Sequence, residues 1–195
     1  MTASSARRWV LGMIALLGGM SVVLAQQSNI RVQCPQATGT LLHPGPGNPG
    51  IKCQHLSAGD GFATMADGTP LYVFGFANLP AANGGDPDEM MALGTLAVNF
   101  PAPLIAIDEG DELFLTLTNV GMVLRPDLAD PHTVHFHGYP QASAAFDGNP
   151  DNSISINMGA IITYYYQAKA HGTNLYHSHV EATEHMQMGM IGNLW

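Results

Sequence analysis

The chain has 195 residues, of which only 11% are charged, and its 15 acidic and 6 basic side chains give a formal net charge of −9. An acidic, lysine-poor surface has little with which to neutralise phosphate, which argues against a nucleic-acid partner and against binding to anionic lipid. Length and a 46% apolar composition allow one domain with a real core.

The first elements in chain order belong to targeting. Arg7 and Arg8 precede an uncharged apolar run from Trp9 to Leu24, and Val23-Leu24-Ala25 closes it on a small residue. That order predicts a signal peptide over residues 1–25, and the paired arginines point to the twin-arginine route. The run is short for a spanning helix, and no later segment is long and apolar enough for one. The expected location is therefore periplasmic or secreted, without stable membrane insertion after cleavage. Losing both arginines would take the net charge to about −11.

Residues 26–68 are rich in Gly, Pro, Asn and Gln and show no sustained period, so they read as an irregular arm. Cys34 and Cys53 fall within it, and in an oxidising compartment such a pair predicts a disulfide. His43 and His55, in the same stretch, read as ordinary surface residues.

From residue 69 the character is that of a separate all-β domain running to 195. Short apolar runs at 71–76, 95–100, 104–108, 112–120, 132–137, 153–157, 161–168, 173–179 and 190–195 are separated by turn residues. Leu113, Leu115 and Leu117 alternate with Phe114, Thr116 and Thr118, the period of a half-buried strand. Strands this short at this spacing predict an antiparallel β-sandwich. Residues 86–93 suit a helical turn or two. Trp195 ends the chain inside an apolar strand pattern, which predicts a truncated C-terminal strand.

Seven of the nine histidines lie beyond residue 131. They include His132-Thr133-Val134-His135-Phe136-His137 and His177-Ser178-His179, then His185, with Met186, Met188 and Met190 close behind. Residues two apart on a strand share a face, so His135 and His137 project together, as do His177 and His179. Two such pairs on neighbouring strands would converge four imidazoles, a donor set suited to copper or zinc. His171, in a turn before Gly172, reads as a non-ligand. Met186, Met188 and Met190 suit either core packing on a terminal strand or thioether capture of Cu(I).

These motifs carry a family resemblance. From Phe100 onward the chain resembles a cupredoxin domain of the multicopper oxidase family. FPAPLIAIDEGDELFLTLTN at 100–119 is similar to its opening strands, HTVHFHG at 132–138 to its H-x-H-G motif, FDG at 146–148 to its Asp-Gly, and GTNLYHSH at 172–179 to its G-T-x-x-Y-H-x-H motif. The resemblance implies a Greek-key β-sandwich and copper as cofactor. It places His135, His137, His177 and His179 on ligands of the type 2 and type 3 coppers, which that family binds between two cupredoxin domains to reduce dioxygen. It places His132, His185 and Met190 on two histidines and the axial methionine of the type 1, or blue, copper.

One position departs from the pattern. A blue copper needs a cysteine thiolate, which the family places between the last two histidines. Ser178 stands there, as it does in family domains that carry no blue site. The gap from His179 to His185 is also longer than the family's. The reading is a blue site that has lost its cysteine. An oxidase built from this chain would be a homotrimer with copper sites between subunits, taking electrons from a donor by another entry. The alternative is a non-catalytic periplasmic copper binder or copper carrier.

Overall fold

The computed structural model describes residues 34, 50–80, 87–140 and 142–195. The predicted signal peptide, His43 and most of the predicted arm lie outside them. Among the described residues no helix is long and apolar enough to cross a membrane.

The alternation of Leu113, Leu115 and Leu117 does what a period of two requires. These residues lie on β3 (Glu112–Gly121), and all are fully buried on one face of a sheet. β3 sits inside that sheet, between β1 (Ile51–Thr64) and β5 (Ile161–Gln167), and β2 (Pro70–Leu79) closes the far edge in the order β2-β1-β3-β5. A second sheet contains β4 (His135–His137), β6 (Asn174–His177) and β7 (Ile191–Leu194) in that order. Leu56, Phe74, Phe76 and Tyr164 of the first sheet share one apolar cluster with Phe136, Tyr176 and Leu194 of the second. Each large side chain removed from water in this way contributes roughly 1.5–3 kcal/mol. Among the described residues two short α-helices accompany the sheets, α1 (Pro87–Gly94), at the place expected of residues 86–93, and α2 (Ala182–Met188).

Several sequence expectations change. Residues 51–64, assigned above to an irregular arm, form the longest strand, and it pairs on both sides. The sandwich is not wholly antiparallel, because β1 runs parallel to β3, with Ile51 opposite Glu112. β1 is buried continuously from His55 to Gly61 and so shows no alternation. Its glycines also mask it: a Cβ on Gly61 would lie 2.8 Å from Val98 Cγ2 and 2.9 Å from the Leu96 carbonyl oxygen. His55 is consequently not a surface residue but 1% exposed, with Nε2 2.7 Å from Thr118 Oγ1.

The runs at 95–100 and 104–108 make only single bridges, Phe76 to Asn99 and Ile105 to Leu194. Leu96 has φ 58°, and Pro101 and Pro103 lack the N–H that a ladder needs. Met186 and Met188 lie on α2 rather than on a terminal strand; only after Met190 does the chain enter β7. Trp195 continues the pairing beyond β7, donating to the Ile105 carbonyl at 3.0 Å.

The expected disulfide joins Cys34 to Cys53. Since Cys53 lies on β1 opposite Phe114, it ties residue 34 to the sheet rather than closing a loop upon itself.

Candidate metal centre

β4 and β6 bring the two H-x-H pairs together. Their antiparallel register sets His135 directly opposite His177 and Phe136 opposite Tyr176. Phe136 and Tyr176 are buried in the core, so the imidazoles take the other face. Ring centroids lie 5.3 Å apart for His135 and His177, 4.8 Å for His135 and His179, and 5.6 Å for His137 and His177. One ring nitrogen from each of His135, His137 and His177 lies within 4.8 Å of the others. His177 is buried, His135 and His179 are half-buried, and His137 is exposed, so the patch opens to solvent on one side.

Backbone carbonyls orient the rings. His135 Nδ1 lies 2.5 Å from the Asp147 carbonyl oxygen and His177 Nδ1 2.9 Å from that of Ser178. A carbonyl only accepts, so each Nδ1 carries the hydrogen and each Nε2 keeps a free lone pair. His177 Nε2 then faces His137 Nδ1 at 3.4 Å. Burial, with smaller contributions from His135, His179 and His137, holds His177 below the ordinary histidine pKa and favours the neutral form that ligates. Neutral imidazoles with oriented lone pairs fit a copper site.

The second predicted set is brought together in part. His132 pairs with Ile156 through both backbone groups and its ring is fully buried, 4.9 Å from that of His185. Neither ring nitrogen of His132 has a hydrogen-bond partner. Burial, and then His185, lower its pKa to about 3, so it too is neutral. His185 sits on α2, fully buried, with Nδ1 3.1 Å from Ser178 Oγ. Met190 is also fully buried; Gly189, at φ 125°, ends the helix, and Met190 N–H donates to the His185 carbonyl at 2.8 Å. A metal ion would satisfy a buried, unpaired nitrogen of His132. His171 stands apart, 95% exposed and 3.6 Å from Glu109.

Sequence reasoning missed three neighbours. Thr133 Oγ1 accepts the His179 N–H at 2.9 Å, and its parity with His135 and His137 was a usable signal. Asp130 and Glu181, which approach His185, belong to no motif and reach it only through the fold.

The sequence profile described as multicopper oxidase matches residues 85–195. This chain belongs to the multicopper oxidase family. Copper is the cofactor that goes with membership, and the all-β sandwich is the family's cupredoxin fold. Among its relatives, multicopper oxidase MCE of Talaromyces pinophilus is 35% identical over 98 residues, covering 49% of this chain and 15% of that protein. Laccase-1 of Emericella nidulans is 32% identical over 115 residues, covering 58% and 17%. A blue copper oxidase from Nitrosomonas europaea superposes on 74% of this multicopper oxidase chain and 38% of its own, with a TM-score of 0.55 and 30% identity. The chain thus spans about a sixth of the length of these two curated relatives.

Proposed function

We propose that this multicopper oxidase domain is exported and that His135, His137, His177 and His179 supply one subunit's share of type 2 and type 3 copper sites built between subunits, for oxygen-linked oxidation. The carrying observation is the convergence of these four imidazoles on a patch that opens to solvent on one side. Four nitrogens on an open face suit a cluster that a second such face completes, and a homotrimer supplies every face with a partner. Copper held there supplies reversible one-electron chemistry. The chain's own part is to present neutral nitrogens: the Asp147 and Ser178 carbonyls fix two tautomers, and Thr133 fixes the backbone at His179.

His132, His185 and Met190 form the second half of the reading, the remains of a blue site in which Ser178 replaces the cysteine. A serine hydroxyl lacks the soft thiolate through which such a site takes up electrons. That favours a second reading, a non-catalytic copper binder or carrier, supported by the hydrogen bond that engages Ser178 with His185. Export to the periplasm or beyond is supported by the N-terminal Arg-Arg and apolar run.

Copper content, EPR and solution mass of the copper-reconstituted mature chain separate the two. More than one copper per chain in a trimer, with part of it EPR-silent, is the oxidase result. One copper or none on a monomer, with at most an ordinary type 2 signal, retires the oxidase.

A further inference from the structure

His185 offers its two ring nitrogens to different surroundings. Nδ1 faces inward and is engaged by Ser178 Oγ at 3.1 Å. Nε2 is buried without a hydrogen-bond partner and lies 3.6 Å from Asp130 Oδ2. One ligand atom from each of Asp130, Glu181 and His185 lies within 4.8 Å of the other two.

The fold holds these groups in place. The Asp130 carbonyl accepts from Asn119 Nδ2 at 3.0 Å, and the same amide donates to the Ile156 carbonyl at 2.7 Å. Glu181 is the N-cap residue of α2, and its carbonyl accepts the His185 N–H at 3.1 Å, so the two sit one helical turn apart. Asp130 is half-buried, with its side chain 15% exposed, and Glu181 lies at the solvent-exposed rim.

The arrangement offers a cation three converging donors. A buried nitrogen with no partner costs about 1–3 kcal/mol, and two carboxylates gathered around it repel each other. One divalent ion would relieve both, taking the imidazole lone pair and balancing two negative charges. We propose that His185 Nε2, Asp130 and Glu181 form a second cation site of this chain, for a divalent ion of the Zn(II) or Cu(II) class. One nitrogen and two carboxylates make a hard-to-borderline donor set, which disfavours soft Cu(I). The inference rests on the reading that His185 binds metal, and it moves the ion from the inner side of the ring, toward Ser178, to the outer side.

The test uses the full chain carrying His137→Gln and His179→Gln, which cripple the four-imidazole patch at its exposed edge. Zn(II) is titrated by calorimetry and Co(II) by its ligand-field absorption. The expected result is one remaining ion per chain, with affinity lowered at least about tenfold by Asp130→Asn and again by Glu181→Gln. Glu184→Gln, which removes an exposed carboxylate of α2 that belongs to neither metal group, should leave affinity unchanged. All three carboxylate substitutions keep size and shape, and thermal unfolding confirms that each variant is folded. The proposal is overturned if no ion binds in this background, or if both amide variants bind as tightly as their parent. It is equally overturned if Glu184→Gln lowers affinity as far as the amide variants do, which would make the effect one of surface charge alone. Failure of the four-imidazole reading would show separately, as equal stoichiometry and affinity in the chain with and without the two glutamines.

Discussion

At Ser178 one oxygen atom decides what His185 can do. The hydroxyl is fully buried and reaches Nδ1, so a thiol there would lie beside the same ring. Ser178→Cys is expected to give the copper-loaded chain an intense visible charge-transfer band that the parent lacks, read by absorption and EPR. A colourless copper-loaded variant would remove the lost blue site. Thr133→Val deletes the acceptor for the His179 N–H within a buried setting, a loss of about 1–3 kcal/mol. Unfolding midpoint and copper retention should fall together, since that hydroxyl holds the chain between the last two ligands. Gly148, in the FDG motif, has φ 77°, and a Cβ there would lie only 2.2 Å from the Val134 carbonyl oxygen. Gly148→Ala should therefore displace the entry to β4, lowering both stability and copper stoichiometry. The histidines were readable because ligands two apart need only a strand to converge. Asp130 and Glu181 were not, because the first meets His185 across 55 residues of sequence and the second around a helix start.

Among the elements, legibility followed alternation. β3 and β5 carry apolar or aromatic alternation and stand where the sequence put them. β1 hid behind Gly59, Gly61, Ser57 and Asp60, residues poor in strand propensity that are tolerated because both of its edges are paired. α2 was hidden differently: seven residues give too little periodicity to see, and their methionines read as strand. The disulfide clamps β1 from outside, at a sequence separation of 19. A closure of that length contributes about 3 kcal/mol, so reducing agent should lower the urea midpoint markedly. An unchanged midpoint would mean that β1 holds without it.

For the whole molecule, two buried imidazoles couple stability to pH. His55 is held at about 4 and His132 at about 3, both by burial, against an ordinary value near 6.5. Both are neutral in the folded chain, whereas the unfolded chain takes up protons as pH falls below about 6.5. Their stabilising effect is full above that value and is lost as pH falls toward 4 and then 3, by up to about 1.4 kcal/mol per pH unit for each. Metal-free protein should show a falling unfolding temperature from pH 7 to pH 5, and a flat profile would contradict the burial of both rings.

The parallel pairing of β1 with β3 has a practical consequence. The family profile begins at residue 85, yet the strand that flanks β3 comes from residues 51–64. The sequence profile and the folding unit thus have different borders. A fragment cut at residue 85 would leave the backbone of β3 unpaired along one side and bare the apolar face that β1 and β2 complete, a template for aggregation. Anyone transplanting the histidine patch into another scaffold must carry this earlier strand, which the profile does not reach, as its chassis.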